Sequence, residues 1–301
     1  MQAPLRATLI GFTAILMWSL LALLTAASGA MPPFQLAAVT FAIGGTLGAV
    51  SFILRPGAVT SLRQPWPVWA LGVGGLFGYH ALYFIALRIA PPAEAGLINY
   101  LWPLLIVLFS ALLPGETLKP HHLAGAALGL IGTVVLIAGR AEQSVEFGFA
   151  QSDLPGYLAA FVAAFVWATY SVASRRFAGV PSDAVVGFCL VTALLAALCH
   201  LLFETTVWPR DAAEWGAGIA LGVGPGGLAF YVWDIGVKRG DIRVLGAASY
   251  AAPVLSTLAL IAGGYAQPRW TLWLAAALIA GGGLLAAKDM LIRRKALCCS
   301  V

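Results

Sequence analysis

The sequence predicts an all-α integral membrane fold: ten transmembrane helices arranged as a 5+5 inverted-topology repeat around a central cavity. Three observations carry this prediction. The first is composition: of 301 residues, 61% are hydrophobic and 10% charged, with a mean hydropathy of +0.92. No soluble domain of this length has that balance. The second is segmentation, because the apolar residues fall into ten stretches near the ~20 residues needed to cross a bilayer. The third is internal repetition at an offset of about 150 residues. Tyr100-Leu101-Trp102-Pro103 returns as Tyr250-Ala251-Ala252-Pro253, and Gly74, Tyr83, Arg88 and Gly96 meet Gly224, Trp233, Lys238 and Gly246. Trp18 meets Trp167 in the same way.

Span 1 covers 8–28. Its Ala26-Ala27-Ser28 resembles a signal-peptide cleavage site, but its apolar core is too long and nine more spans follow, so it is expected to be retained. Spans 2 to 5 cover 35–54, 68–88, 94–113 and 121–139, completing a first repeat over 1–140. The connection at 141–154 is the most acidic loop, with Glu142, Glu146 and Asp153. Spans 6 to 10 cover 155–175, 183–203, 215–236, 243–264 and 270–290, which sets the second repeat at 155–290 and a tail at 291–301. The loops leave no room for a soluble domain.

Charge tests the count. With the N-terminus inside, the inner segments hold Arg6, Arg55, Arg63, Lys119, Arg175, Arg176, Lys238, Arg239, Arg243, Lys288, Arg293, Arg294 and Lys295. The outer segments hold Arg88, Arg140, Arg210 and Arg269. This asymmetry fits the positive-inside rule with both termini cytoplasmic. Five spans per repeat is odd, so the two copies must be inverted, and a cleft near the midplane is the expected substrate position. The net charge of +5 follows from topology and calls for no nucleic acid.

Four cysteines carry little. Cys189 and Cys199 are ten residues apart on one predicted helix, roughly 15 Å along its axis, too far for a disulfide. Cys298 and Cys299 fall in the tail, where reduced thiols are expected. No metal-ligand spacing is present and no cofactor is implied. His121-His122 diverge by about 100° on a helix and make a poor chelate.

Polar groups within spans point to the cleft, because hydrocarbon penalises them. His80 and Asn99 are the clearest; His200, Asp234 and Ser249 follow. Asp234 stands four residues before Lys238, the spacing of a surface ion pair. Tyr79 and Tyr83 share a helix face, and with His80, Asn99, Tyr100 and Trp102 they form an outer aromatic and amide cluster. Tyr231 and Tyr250 fall in the inner half, and Trp18 and Trp167 near the midplane. The competing role for such residues is the interfacial aromatic belt, to which Trp66, Trp69, Trp208, Trp215, Trp270 and Trp273 are assigned. Tyr83 and Trp233 could serve either role. Pro103 and Pro253 occupy equivalent interior positions, where each removes a backbone donor and marks a hinge, a binding-site break or a packing kink. Glycines at four-residue spacing suit close helix packing, within the bundle or in a dimer.

Ten short-looped spans in two halves, Pro-Gly-Glu at 114–116 and Asn-Tyr-Leu-Trp-Pro at 99–103 resemble the drug/metabolite transporter superfamily with two EamA-type repeats. Within it the chain is similar to the YddG-type aromatic amino acid exporters. The second repeat departs from the pattern, with Ala266 at the position matching Glu116. The resemblance implies alternating-access export of aromatic and other neutral amino acids across a bacterial inner membrane, by a monomer or homodimer in contact with lipid. Near absence of buried carboxylates is expected, and it argues against a cationic-drug pump. Another small metabolite or a cationic drug in the same fold remains the alternative, a cation calling for an acid such as Asp234; an enzyme would need a clustered catalytic set, and none is visible.

Overall fold

A computed structural model describes residues 3–114, 117–141 and 151–289. Among them every regular element is helical. Eight helices are long and apolar enough to cross a membrane: α1 (Pro4–Ala27), α2 (Pro33–Leu54), α3 (Trp66–Ile89), α5 (Pro120–Ala138), α6 (Leu154–Phe177), α7 (Ser182–Phe203), α8 (Ala212–Arg239) and α9 (Ile242–Ala262). Two shorter apolar helices, α4 (Glu94–Ser110) and α10 (Trp270–Ala286), complete the ten. The expected boundaries lie within a few residues of these. The Gly115-Glu116 pair, the core of the acidic connection and the tail cysteines lie outside the described residues.

Helix pairing reveals how the repeats combine. The main partnerships are α5 with α10, α2 with α7, α1 with α8 and α3 with α6, while α4 and α9 touch each other and lean chiefly on α6 and α1. Replacing each helix by its counterpart five places along maps α1/α8 onto α6/α3 and leaves α5/α10, α2/α7 and α4/α9 unchanged. That is the contact pattern of a pseudo-twofold axis between inverted copies. Each repeat therefore buries its faces mostly against the other, and the two interleave instead of forming separate lobes.

Small residues allow this closeness. A Cβ on Gly125 of α5 would meet the Gly282 carbonyl of α10, and one on Gly44 of α2 would meet the Gly227 backbone of α8. Lipid offers no hydrophobic drive for helix association, so backbone-close packing of this kind supplies it. Buried hydroxyls on Ser110, Thr133, Ser174, Ser249 and Thr257 donate to carbonyls three or four residues back. Each is thus satisfied within its own helix.

The two pseudo-equivalent long helices share one irregularity. Gly74–Gly78 in α3 and Gly224–Leu228 in α8 are π-helical, 150 residues apart. α4 and α9 are likewise broken at matching places, at Tyr100-Leu101 and at Ser249-Tyr250. New helical segments begin at Trp102 and Ala251. Pro103 and Pro253 thus stand in the first turn of a segment, where a missing N–H costs no hydrogen bond, and not in the middle of a continuous kinked helix. Irregular backbone at membrane depth is tolerated where protein encloses it.

Candidate functional site

The two π segments and the two helix breaks surround one aromatic cluster. Trp18 of α1 lies 5.5 Å from Trp167 of α6, 5.2 Å from Trp233 and 5.9 Å from Phe230 of α8, ring centre to ring centre. Trp102 of α4 meets Trp167 and Trp233 edge-on at 6.3 and 6.0 Å. Tyr79 packs on Trp167 at 5.3 Å and stacks with Tyr83 at 6.0 Å, while His80 meets Tyr79 at 5.1 Å and Phe41 at 5.0 Å. Each pair contributes about 0.5–1.5 kcal/mol beyond burial, so the cluster holds a fixed shape.

Its polar groups are neutral and oriented. Trp18 Nε1 donates to the Pro225 carbonyl inside the α8 π segment at 3.2 Å. His80 Nδ1 lies 2.7 Å from the Leu76 carbonyl inside the α3 π segment. A carbonyl only accepts, so Nδ1 carries the proton, and Nε2 is left as an acceptor in the neutral ring. Asn99 Nδ2 donates to Tyr79 Oη at 3.0 Å, while Asn99 Oδ1 is buried with no partner. The Tyr79 hydroxyl accepts from Asn99 and keeps its own proton to give.

Of the residues expected at the cleft, the structure brings together Trp18, Tyr79, His80, Tyr83, Asn99, Trp102 and Trp167. Tyr100 follows Asn99 at the α4 break, half-buried. Tyr231 and Tyr250 lie elsewhere. Tyr231 Oη reaches the Gly44 carbonyl of α2 at 3.2 Å. Tyr250 is fully buried against Gly129 of α5 in a separate apolar cluster with Leu136, Leu272 and Ile279. Conversely Phe41, Tyr170 and Phe230 belong to the cluster and were not among the expected residues, and Trp233, which the sequence left between cleft and belt, belongs to it too. Trp233 is wholly buried, with Nε1 donating to Ser171 Oγ at 3.1 Å. The offset of 150 carried the signal, since Phe230 and Trp233 are the counterparts of His80 and Tyr83.

The carboxylates correct two expectations. The Asp234–Lys238 pair is buried, not at the surface: the side chains are 2% and 5% exposed and 2.9 Å apart. Ser182 donates to Asp234 Oδ2 at 2.6 Å, and Lys238 Nζ donates to the Val180 carbonyl at 3.0 Å. Glu94, in the first turn of α4, and Glu204, just past the end of α7, are buried as well, so buried carboxylates are more frequent than expected. Glu204 takes Arg88 at 2.7 Å, lies 3.0 Å from His200 Nδ1, and accepts the Phe34 and Gln35 backbone N–H groups at 3.1 Å. This caps the α2 N-terminus, where a carboxylate is favoured.

The two faces of the bundle differ. On the face rich in Lys and Arg, Arg55 bridges α2 to Asp183, Arg175 reaches the Gly240 carbonyl, Arg243 the Thr117 carbonyl, and Lys119 Nζ holds Asp289 at 2.6 Å. Below the cluster on that side, Trp102, Tyr170, Trp233, Asp234 and Lys238 are sealed. Toward the opposite face Tyr79, His80, Tyr83 and Tyr100 are only half-buried. His121, His122 and Asp289 bring potential ligand atoms within 4.8 Å of one another. Two of these groups are already engaged, however: Asp289 by Lys119, and His122 Nδ1 by the Lys119 N–H at 3.2 Å.

Residues 5–138 and 154–287 each match the EamA-like transporter family. The aromatic amino acid exporter YddG of Ancylobacter novellus is 62% identical over 288 residues, covering 96% of this chain and 98% of its own. The exporter of the same name from Salmonella typhimurium is 28% identical over 294 residues, covering 93% and 96%. A solved crystal structure aligns with a TM-score of 0.90 at 61% identity, covering 96% of this chain and 98% of its own. Two family matches placed on the two interleaved copies account for nearly the whole molecule: the chain belongs to the EamA-like transporter family.

Proposed function

We propose that this protein exports aromatic and other neutral amino acids from the bacterial cytoplasm across the inner membrane by alternating access. The observation that carries the reading is a charge-free aromatic cluster at the junction of two inverted repeats. Indole and phenol walls suit an aromatic or apolar side chain. The unfilled acceptors on Asn99 and His80 suit an ammonium, and the free Tyr79 O–H suits a carboxylate. The wall residues in this reading are Trp18, Tyr79, His80, Tyr83, Asn99, Tyr100, Trp102 and Trp167. Tyr231 and Tyr250 serve packing. The Lys/Arg-rich face is the cytoplasmic one, and its many ties against half-buried walls opposite describe an outward-facing state. Pro103 and Pro253 open the helical segments that would swing between states.

Purified protein in liposomes is expected to move labelled phenylalanine, tryptophan, threonine or methionine down a gradient. If none enters or competes, the assignment fails. Tyr79→Ala, Tyr100→Ala and Trp102→Ala should each lower flux severalfold while leaving monodisperse protein. Unaltered flux in all three would remove the wall assignment.

A further inference from the structure

The Asp234–Lys238 pair lines a narrow cavity between the aromatic cluster and the Lys/Arg-rich face, walled by Val68, Leu71, Tyr170, Phe177 and Phe188. We propose that this is a second amino-acid site, in which Asp234 takes the substrate's ammonium and Lys238 its carboxylate. The proposal rests on the amino-acid reading above.

Three observations point there. The first is energetic. Each buried ion loses several kcal/mol of hydration, and apolar residues of similar size commonly serve stability at least as well. Packing alone therefore gives no reason for the pair. The second is the repeat. The counterparts of Asp234 and Lys238 are Phe84 and Arg88, and Arg88 finds its acid just past the end of α7, at Glu204. The acid on α8 is therefore required neither by the duplication nor by the topology. The third is Tyr170, 2% exposed, whose hydroxyl has no hydrogen-bond partner. The Ser174 hydroxyl lining the same cavity gives its proton instead to the Tyr170 carbonyl, at 2.7 Å.

The chemistry is an exchange of partners. An α-amino acid carries an ammonium and a carboxylate, the complements of the two side chains. When it enters, the internal pair parts and each ion takes the opposite end of the substrate, so the net charge of the cavity does not change. The hydration of Asp234 and Lys238 was already lost in folding and is not lost again. In the present conformation the cavity is too narrow for an amino acid, and the pair closes on itself. Entry needs the end of α8 to part from the 178–181 connection and the first residue of α7, where Val180 and Ser182 now hold it. Trp233 adjoins Asp234 and touches Trp18, Trp102 and Trp167, so a substrate held here abuts the central cluster.

The test is competition against labelled phenylalanine flux in proteoliposomes of uniform orientation, with unlabelled competitor on one face only. Phenethylamine lacks the carboxylate and 3-phenylpropionate lacks the ammonium. A shifted conformational equilibrium scales all competitors at one face alike and cancels in their ratios. Lys238→Met should cut the preference for phenylalanine over phenethylamine at least fivefold at the Lys/Arg-rich face and leave it unchanged at the other. Asp234→Asn should do the same against 3-phenylpropionate. Tyr170→Phe removes only an unpaired hydroxyl, so it should fold normally and weaken competition by phenylalanine about threefold at that face alone. Ratios unchanged in the charge variants would make the pair a latch and overturn the proposal. If the charge variants do not fold, a silent Tyr170→Phe overturns it. Wild-type protein that moves no amino acid defeats the transport reading instead, before any variant is made.

Discussion

At the residue scale, Asp241 shows how a single carboxylate can organise a helix start. It accepts the backbone N–H groups of Arg243 and Val244 at the head of α9 and is paired with the Arg243 guanidinium. Burial pushes its carboxyl up, but Arg243 and the two N–H groups outweigh this and hold it below the usual carboxylate range. A depressed folded value means the stabilisation is present above the unfolded value, near 3.9, and is lost as pH falls through the folded one. Asp241→Ala should lower stability by about 1 kcal/mol, read as a lower thermal midpoint in detergent at pH 7. The difference from wild type should shrink as acid protonates the folded carboxyl, at a pH below the usual carboxylate range. Legibility at this scale was uneven. Seven of the expected residues that the structure brings together could be picked out by ring or amide character within a span, Trp18 and Trp167 near the midplane and the other five in its outer half. Tyr250 was not, because the same pattern arises where a phenol fills the groove beside a glycine, here Gly129. Trp233 was ambiguous because its distance from the helix end fits an interfacial belt; only its packing against three other indoles decides.

At the element scale, glycines set how close the helices lie. Gly44→Val forces a side chain into the Gly227 backbone, whereas Gly216 has nothing within 4 Å of an added Cβ. Gly44→Val should abolish or strongly reduce monodisperse protein on size exclusion, and Gly216→Val should leave it intact. Equal yields would show that the α2/α8 approach is looser than described. The paired prolines were readable as helix interruptions at equivalent depth. What could not be read was that each stands in the first turn of a new segment after a two-residue break. Proline is compatible with a kink or a first turn alike, and the choice depends on neighbours on other helices. The π segments were foreshadowed only by Gly72 to Gly75 and Gly224 to Gly227. A glycine run signals deformability without specifying its form.

At the scale of the whole molecule, hydropathy and charge alternation were enough to read ten spans, because the bilayer constrains length and the basic residues constrain direction. A C-terminal fluorescent-protein fusion should mature and fluoresce in cells, while a C-terminal alkaline phosphatase fusion should be inactive. The reverse would invert the faces assigned here. The repeat showed that two copies exist but not that they interleave, since pairing across the copies leaves no mark on either copy alone.

That interleaving bears on how the chain is made. The helices leave the ribosome in order, and α1, α2, α3 and α5 have their main partners in α8, α7, α6 and α10. The first half therefore enters the bilayer before most of its permanent neighbours exist. It must wait there with Gly44 and Gly125 facing lipid, held by its own hydrophobicity and by its flanking charges. Assembly is then a late event among helices already inserted, in which half the molecule is the template for the other half.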